Sequence, residues 1–264
     1  MPLRKFVILG APDDRGVAIV GGRVGAKDGP AAIRRKLASQ DGGASPQDGG
    51  DIAVEGTQEE TYQVLRKRVH SLHKERSFPI LLGGGHDLSF GSLSGFLDVY
   101  PGGGIVNIDP HLDARPIPDG GKYSSGCGYR LLLEKSGLEG SHLMEFGYQV
   151  GCNAPANLEY LKGKGVELVP WPASLEETLR PFAKSVSALA VSFDMDSIHS
   201  SFAPGVSAPA KIGYTADEAL ALVRAIKQFP NLKQFEIMEL NPTFDPDGRS
   251  AKLAARLVAE LMAD

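Results

Sequence analysis

Short apolar runs alternate with longer amphipathic stretches along nearly the whole chain. Several of these runs are continuously apolar, without a polar residue at every second position, which is typical of parallel strands covered on both faces. Seven strands are predicted at 6–9, 80–82, 105–108, 142–146, 166–169, 188–193 and 234–238. Six helices are predicted at 29–37, 59–75, 158–164, 175–184, 215–229 and 249–263.

The alternation of strands and helices predicts a parallel sheet with helices on both faces. Thr215 and Glu218 form a capping-box pair at the start of one predicted helix, because each side chain can satisfy the backbone N–H of the other. The stretch 41–51, rich in Gly, Ser and Asp, is predicted to be an exposed loop and not a domain linker. We therefore expect one α/β domain over residues 1–264.

The composition narrows the class of protein and its partners. A net charge of −4 gives no general attraction to nucleic acid or to an anionic membrane. No stretch approaches the roughly eighteen consecutive apolar residues of a spanning helix, and the first apolar run is too short for a secretory signal. Cys127 and Cys152 are too few for a disulfide scaffold, so a cytoplasmic protein is expected.

Polar residues follow three of the predicted strands. In an open parallel sheet, functional residues lie just beyond the carboxyl ends of the strands. The strand at 80–82 runs into three glycines and then His86. Glycines let the backbone turn sharply and approach a ligand closely, so they would deliver His86 to the strand tip. Taken alone, the same pattern is also that of a flexible loop with a surface histidine.

The strand at 105–108 runs into Asp109, His111 and Asp113. These alternate side chains point to the same side while the chain stays extended, and three such groups facing one way fit a metal ion better than a solvated surface. A polar strand end with helix-capping aspartates is the alternative interpretation.

The strand at 188–193 runs into Asp194 and Asp196. Two unpaired carboxylates at the end of a buried strand would repel each other and would be costly to desolvate, and a shared cation removes both penalties. Oxygen and imidazole ligands without thiolate favour Mn, Mg, Zn or Fe in a hydrolytic role. Together, the aspartates and histidines of the three strand ends suffice for two dications, which could activate a water between them.

In these motifs and their order, the chain resembles the ureohydrolase family, which includes arginase, agmatinase and formimidoylglutamase. The resemblance covers nearly the whole sequence. Its motifs are Gly-Gly-Gly-His at 83–86, Asp-Pro-His-Leu-Asp at 109–113, Ser-Phe-Asp-Met-Asp-Ser at 192–197, Ala-Pro-Gly-Val-Ser-Ala-Pro at 203–209 and Glu-Leu-Asn-Pro at 239–242.

The resemblance implies an α/β fold of the arginase-like class, a three-layer α/β/α sandwich around a mainly parallel eight-stranded sheet. It also implies two Mn²⁺ ions per chain. The first ion would be held by His86, Asp109, Asp113 and Asp194, and the second by Asp109, His111, Asp194 and Asp196. Pro110 stands where the family commonly has alanine, but proline fits an extended strand end.

The resemblance also implies two catalytic roles and an assembly. Glu239 would sit over the amidino group of the substrate. Asp113 would accept a hydrogen bond from the attacking hydroxide and pass its proton to the leaving nitrogen. Trimers and hexamers are usual in the family, so a homo-oligomer is expected.

Residues around the leaving group indicate the branch of the family. The histidines that mark arginases and agmatinases are missing, and this chain has Tyr129 and Ser125-Gly126-Cys127 in their places. Segments 14–17, 21–26, 111–116, 123–130 and 146–149 resemble formimidoylglutamase instead. The expected reaction is hydrolysis of N-formimidoyl-L-glutamate to L-glutamate and formamide in histidine degradation, with Cys127 lining the pocket.

This small-molecule substrate carries two carboxylates, so its pocket needs a cation. Arg115 lies just past the predicted metal ligands and suits bidentate carboxylate binding. Arg23, Arg130 and Ser125 are the further substrate-binding candidates, and an ordinary surface ion pair is the alternative for each arginine. Two other functions stay open: a guanidino hydrolase of agmatinase or arginase type that releases urea, and a catalytically silent metal-binding relative.

Overall fold

Eight strands form one sheet within residues 4–39 and 46–263, which are the residues that the computed structural model describes. The strands are β1 (Phe6–Ala11), β2 (Gln47–Asp51), β3 (Phe78–Gly83), β4 (Gly104–Ile108), β5 (Leu143–Tyr148), β6 (Glu167–Pro170), β7 (Leu189–Asp194) and β8 (Leu232–Met238). They lie in the order β2-β1-β3-β8-β7-β4-β5-β6. Each neighbouring pair is parallel.

Helices cover both faces of this sheet. They are α1 (Arg15–Val20), α2 (Gly29–Leu37), α3 (Gln58–Lys74), α4 (Ser89–Leu97), α5 (Gly128–Lys135), α6 (Pro155–Gly163), α7 (Arg180–Ser185), α8 (Ala216–Ile226) and α9 (Arg249–Met262). The apolar side chains of α2, α7, α8 and α9 form a core with one face of the sheet, and those of α3, α4, α5 and α6 form a core with the other. Alternate side chains of β1 join opposite cores, Ile8 the first and Val7 and Leu9 the second. The predicted three-layer sandwich is confirmed.

The seven predicted strands and six predicted helices are all present, with their ends within a few residues of the expected positions. The helix predicted at 175–184 begins as a π-helical turn, Leu175–Leu179, that continues into α7. The predicted capping box is also confirmed. The Glu218 N–H donates to Thr215 Oγ1 at 3.2 Å, and the Thr215 N–H donates to Glu218 Oε2 at 2.8 Å.

Sequence periodicity misses α1, α4 and α5. The reason is clearest in α4, since all nine of its residues are buried and it has no exposed face. Glycines in α4 let α3 pack closely against it. A Cβ at Gly91 would come within 2.7 Å of the Tyr62 carbonyl oxygen, and one at Gly95 within 2.5 Å of the Arg66 carbonyl oxygen. A helix that is buried all round has no amphipathic period to detect.

The prediction of an exposed loop at 41–51 is wrong for its second half. Residues Gln47–Asp51 form the edge strand β2, which pairs with β1, while 41–45 lie outside the described residues. β2 is mostly exposed and carries no alternating apolar side chains, so its sequence gives no strand signal. Arg34 of α2 holds it through ion pairs to Asp48 and Asp51.

The strands β3, β8, β7 and β4 are neighbours in the middle of the sheet, with their carboxyl ends at one edge. The loops that leave these ends are therefore close in space. Within the described ranges, no helix has the length and apolar character needed to cross a membrane. That residues 1–264 form a single domain stays a prediction.

Candidate metal centre and substrate cavity

Four neighbouring strands deliver acidic or imidazole side chains to one edge of the sheet. The loops after β3, β4 and β8 carry His86, Asp109 and Glu239, and β7 ends with Asp194. All four residues are buried, with at most 3% of their surface exposed. Groups far apart in the sequence are thus brought to one place by the strand order.

Of the glycines before His86, Gly84 is required by close packing against backbone. A Cβ at Gly84 would come within 2.0 Å of the Asp13 carbonyl oxygen. The Gly84 carbonyl also accepts a hydrogen bond from the Glu239 N–H at 2.9 Å. None of the three glycines has a positive φ. The chain bends at Gly84 and Gly85, as expected, and the close approach of Asp13 explains why Gly84 has no side chain.

Asp109 and Asp194 use one carboxylate oxygen each to shape the backbone after their strands. Oδ1 of Asp109 accepts a hydrogen bond from the His111 N–H at 2.7 Å, and Oδ1 of Asp194 accepts one from the Asp196 N–H at 2.6 Å. The second oxygen of each points to the same histidine. His86 Nδ1 lies 3.1 Å from Asp109 Oδ2 and 3.0 Å from Asp194 Oδ2.

The extended geometry expected after β4 is not found. β4 ends at Ile108, and Asp113 adopts a left-handed conformation with a φ of 41°. Asp113 still reaches the cluster, because its Oδ2 lies 3.3 Å from His86 Nδ1. After β7, Asp196 lies in a 3-10 turn, Met195–Ser197. These side chains are therefore brought together by turns, and not by the alternation of side chains along an extended strand.

Two groups of residues could each hold a metal ion, since the ligand atoms within each group lie within 4.8 Å of one another. The groups are His86, Asp109, Asp113 and Asp194, and His111, Asp194 and Asp196. Asp194 belongs to both. Asp109 also approaches the second group, with its Oδ1 3.2 Å from His111 Nδ1. The structure thus brings all six predicted ligands together.

The charges of this cluster fit divalent cations. Burial, followed by the negative charge of Asp109, raises the pKa of Asp113 to about 8 and that of Asp194 to about 6. Burial and the charge of Asp194 raise the pKa of Asp196 well above its ordinary value. Oδ2 of Asp109 has no partner within the described residues other than the His86 ring nitrogen 3.1 Å away. Bound dications would remove the repulsion between these carboxylates.

A chain of hydrogen bonds behind the cluster fixes the His86 ring. Its Nε2 lies 2.9 Å from Ser192 Oγ and 3.2 Å from Tyr129 Oη. Ser192 Oγ lies 3.4 Å from Ser89 Oγ, which donates to Glu236 Oε2 at 2.7 Å. Because Nε2 is bonded on this side, Nδ1 faces the carboxylates in the orientation of a ligand. Sequence analysis missed this role of Tyr129 and Ser192.

Glu239 has a strained backbone just after β8. Its φ of 62° lies in the region that glycine favours. Oε1 accepts a hydrogen bond from the His86 N–H at 2.6 Å, whereas Oε2 has no hydrogen-bond partner in the described part of the chain. Burial, followed by the charge of Asp194, raises the pKa of Glu239 well above its ordinary value. One oxygen of this carboxyl group is thus left for a ligand.

A cavity of about 650 Å³ opens onto the cluster. Its wall includes His111, Asp113, Asp194, Asp196, Glu239, Arg115 and Ser125. The exposed Arg115 guanidinium forms no ion pair or hydrogen bond with another residue of 4–39 or 46–263. Two of the four predicted substrate-binding residues, Arg115 and Ser125, therefore line the cavity.

The side chain of Arg115 lies against the backbone of Gly126. A Cβ at Gly126 would come within 2.8 Å of both Cδ and Nε of Arg115. The Arg115 N–H also donates to the Gly126 carbonyl at 2.8 Å. The glycine therefore leaves the space that Arg115 occupies.

Arg23 lies outside the cavity wall, so the geometry does not support its predicted role in substrate binding. Its guanidinium donates hydrogen bonds to the carbonyl groups of Pro204 and Val206. It also stacks on the Phe244 ring, 4.2 Å from the ring centroid. Arg23 thus links its own loop, which follows α1, to the 203–209 loop.

Arg130 is likewise outside the cavity wall, and its predicted role in substrate binding lacks geometric support. Its Nε lies 2.9 Å from Glu134 Oε1, and its guanidinium stacks on the Tyr160 ring. This is the helix-surface ion pair that the sequence left open as the alternative.

Cys127 does not line the cavity, contrary to the prediction. It is buried in the apolar core beside α3 and α5, and its Sγ donates to the Ser124 carbonyl at 3.0 Å. Burial raises the pKa of the thiol to about 12. The preceding residues Ser124, Ser125 and Gly126 line the cavity instead.

Two asparagines of the cavity wall were not predicted. Asn153 lies just before α6, and Asn157 lies in its first turn. An asparagine near a helix start is common for local reasons, so neither residue stands out in the sequence.

The chain belongs to the arginase family, whose family model matches residues 4–263. The family inferred from the strand-end motifs is therefore confirmed.

Its relatives include several formimidoylglutamases. The chain is 33% identical to the formimidoylglutamase of Staphylococcus epidermidis, over 95% of this chain and 83% of the relative. It is 32% identical to that of Aromatoleum aromaticum, over 97% of this chain and 82% of the relative. Among solved structures it is similar to Trypanosoma cruzi formiminoglutamase with Mn²⁺, with a TM-score of 0.91 and 31% identity, covering 98% of this chain and 92% of the other.

Proposed function

We propose that this protein hydrolyses N-formimidoyl-L-glutamate to L-glutamate and formamide. The observation that carries the proposal is a cavity that opens onto a cluster of four aspartates and two histidines. Its wall includes Arg115, which has no ion-pair partner among the described residues. A dicarboxylate substrate needs such a cation, whereas a cationic guanidino compound such as agmatine does not. The formimidoylglutamases of similar sequence and structure support the same substrate.

Two Mn²⁺ ions per chain would be held by the two ligand groups. One would bind to His86, Asp109, Asp113 and Asp194, and the other to His111, Asp194 and Asp196 with Oδ1 of Asp109. When bound, the ions supply Lewis-acid activation of the attacking water. The choice of metal is supported by the Mn²⁺ in the Trypanosoma cruzi relative.

Glu239 would bind the cationic formimidoyl group. Its Oε1 is occupied by the His86 N–H, so Oε2 is left to accept a hydrogen bond from a formimidoyl nitrogen. This contact would also orient the reacting carbon toward the acidic cluster.

Asp113 would hold the proton that the leaving nitrogen needs. Its side chain is 10% exposed and lies in the cavity wall, beside His86. Glutamate leaves readily only after its nitrogen is protonated, and a carboxyl group that touches the substrate can pass the proton to it.

Arg115 would bind one substrate carboxylate through its guanidinium. Ser125, also in the cavity wall, offers a hydroxyl group as a further hydrogen-bond donor. Gly126 has no side chain, and this leaves the space that the Arg115 side chain occupies in the cavity wall.

Assays with competing substrates test the proposed reaction. The Mn²⁺-loaded protein should release formamide from N-formimidoyl-L-glutamate faster than it releases urea from agmatine or arginine. Arg115→Ala should weaken binding of N-formimidoyl-L-glutamate by about 1.5–3 kcal/mol, the loss of a charge-assisted contact, and should leave agmatine unaffected. Faster release of urea would assign the chain to the guanidino hydrolases instead.

We further propose a cytoplasmic enzyme of histidine degradation, with one catalytic domain over residues 1–264, that assembles as a homo-oligomer, either a trimer or a hexamer. The motif resemblance supports this assignment. The net charge of −4 is consistent with small-molecule substrates and with no nucleic-acid partner. A monomer in sedimentation analysis would contradict the proposed assembly.

A further inference from the structure

One wall of the cavity is formed by the start of α6. The residues that line it are Cys152, Asn153, Ala154 and Asn157. None of these four carries a negative charge, in contrast to the acidic cluster onto which the cavity also opens. This wall is therefore suited to an anionic part of a ligand.

Asn157 has a carboxamide that no described protein group satisfies. The residue is only 8% exposed and lies in the cavity wall. Within 4–39 and 46–263 its side chain makes no hydrogen bond. The carboxamide atoms are not fully buried and are accessible from the cavity, so they are open to hydrogen bonds with a ligand there.

Asn153, four residues earlier, is fully used by the fold. Its Oδ1 accepts a hydrogen bond from the Leu112 N–H at 2.9 Å. Its Nδ2 donates to the carbonyl groups of Pro110 at 2.9 Å and Gln149 at 2.8 Å. These bonds tie the start of α6 to the loop that carries three of the predicted metal ligands. The position of Asn157 relative to the acidic cluster is thereby fixed.

The helix end adds a favourable potential for an anion. Ala154 precedes α6, and its side chain caps none of the first N–H groups. Pro155 has no N–H and the Asn157 N–H donates to the Ala154 carbonyl at 3.0 Å, so the Ala156 N–H and the helix dipole are what attract negative charge here.

We propose that Asn157 and the first turn of α6 form a second carboxylate-binding subsite, which acts together with Arg115. The inference rests on the proposed function, because it assigns one substrate carboxylate to Arg115 and the other to Asn157. The amide group donates its N–H bonds, and the helix end supplies the positive potential. Asn157 therefore selects amidines with two carboxylates over those with one.

Binding of the product tests the subsite without turnover. Calorimetry with L-glutamate should give the Mn²⁺-loaded Asn157→Asp variant a dissociation constant at least about tenfold above that of the wild type, because the new carboxylate repels the ligand at nearly unchanged shape. Asn157→Ala should weaken binding by about three- to tenfold. Unchanged affinity in both variants, or no binding by the wild type, would overturn the subsite.

Turnover distinguishes this inference from the proposed function. A wild type that releases no formamide from N-formimidoyl-L-glutamate contradicts the proposed function, whatever the variants bind. Where formamide is released, Asn157→Asp should raise KM by at least about tenfold and change kcat far less.

N-formimidoyl-4-aminobutyrate and N-formimidoyl-L-2-aminobutyrate each lack one of the two carboxylates. The one that lacks the carboxylate bound by Asn157 should be insensitive to the substitution. For that substrate, the KM values of Asn157→Asp and wild type should agree within about twofold. Equal rises in KM for all three substrates would overturn the inference.

Asn153→Ala is the matched control for Asn157→Ala. It removes the donor to Pro110 and Gln149 without adding a charge to the cavity wall, so it should lower Tm and kcat instead of acting mainly on KM. If Asn157→Ala lowered Tm as much as Asn153→Ala does, Asn157 would have a structural role and the subsite would be wrong.

Discussion

Asp109, Asp194 and Glu239 each divide their two carboxylate oxygens between the fold and the cluster. One oxygen accepts a hydrogen bond from a backbone N–H, and the other is left toward His86 or toward a ligand. An amide side chain can replace the first of these functions but not the second, because it keeps an acceptor oxygen and loses the negative charge. Substitution by the matching amide therefore isolates the role of each carboxylate.

Glu239→Gln should separate substrate binding from metal binding. Glutamine can still accept the His86 N–H, but it loses the charge that would bind a cationic formimidoyl group. We expect turnover to fall by about 10²–10³-fold. Metal content, measured by elemental analysis, should stay unchanged.

Asp194→Asn is the control for this experiment, since it removes a charge that lies in both ligand groups and should cost metal. If Glu239→Gln lost metal to the same extent, Glu239 would be a ligand and its assigned role would be wrong.

The candidate metal ligands and the preference for Arg115 could be predicted from the sequence, but the contacts of the other arginines could not. His86, Asp109 and Asp194 lie at the ends of apolar strands, and a parallel sheet brings such ends together whatever the loops do. Tertiary contacts that the sequence does not contain set Arg130 apart, because Arg130 is stacked on the distant Tyr160 ring while Arg115 has no described partner.

His73 should make the stability of the protein depend on pH. Burial lowers its pKa from 6.5 to about 4, although its Nε2 lies 2.8 Å from Gln234 Oε1. As pH falls, the unfolded chain therefore takes up a proton at this position before the folded chain does. The stability contribution is complete above pH 6.5 and is lost as pH falls toward 4.

Between pH 7.5 and pH 5, His73 should remove about 2 kcal/mol from the free energy of unfolding, from the difference between its two pKa values. His73→Gln cannot titrate, so the free energy of unfolding of this variant should depend less on pH by about that amount. Urea unfolding of both proteins at the two pH values, with a chelator present to remove metal effects, measures the difference. An equal pH dependence in the two proteins would refute the assignment.

At the scale of elements, burial explains which segments could be predicted. The central strands β3, β4 and β7 are buried along their whole length, and their apolar runs are unmistakable. The edge strand β2 and the fully buried helix α4 lack the patterns of a half-exposed strand and an amphipathic helix. Their positions depend on Arg34 in one case and on contact with α3 in the other, neither of which local periodicity contains.

The close contact between α3 and α4 should make Gly91→Ala destabilising. The added Cβ would meet the Tyr62 carbonyl oxygen at 2.7 Å, and backbone cannot move aside cheaply. We expect a loss of about 1–3 kcal/mol in the free energy of unfolding, measured with urea.

Gly163→Ala in α6 is the control, because its Cβ would meet nothing within 4 Å. It should be neutral or stabilising by up to about 1 kcal/mol. Equal effects of the two substitutions would show that α3 and α4 do not pack this closely.

At the scale of the whole molecule, the strand order makes the cluster a property of the entire sheet. Its candidate ligands lie at or just after the ends of β3, β4 and β7, which occupy different parts of the sequence and meet only in the folded chain. Ions that bind only the folded protein stabilise it, so Mn²⁺ should raise Tm with increasing concentration. The catalytic account depends on the same assembly, because Glu239 and Asp113 are positioned by contacts with His86.

The most direct test of the account is a titration of metal-free protein with Mn²⁺ while formamide release from N-formimidoyl-L-glutamate is followed. The six candidate ligand residues form two separate groups rather than one, with Asp194 in both and Asp109 close to both. Activity should therefore reach its maximum at about two ions per chain, with the same ratio in elemental analysis of the active protein. Full activity at one ion per chain would contradict the two-metal site.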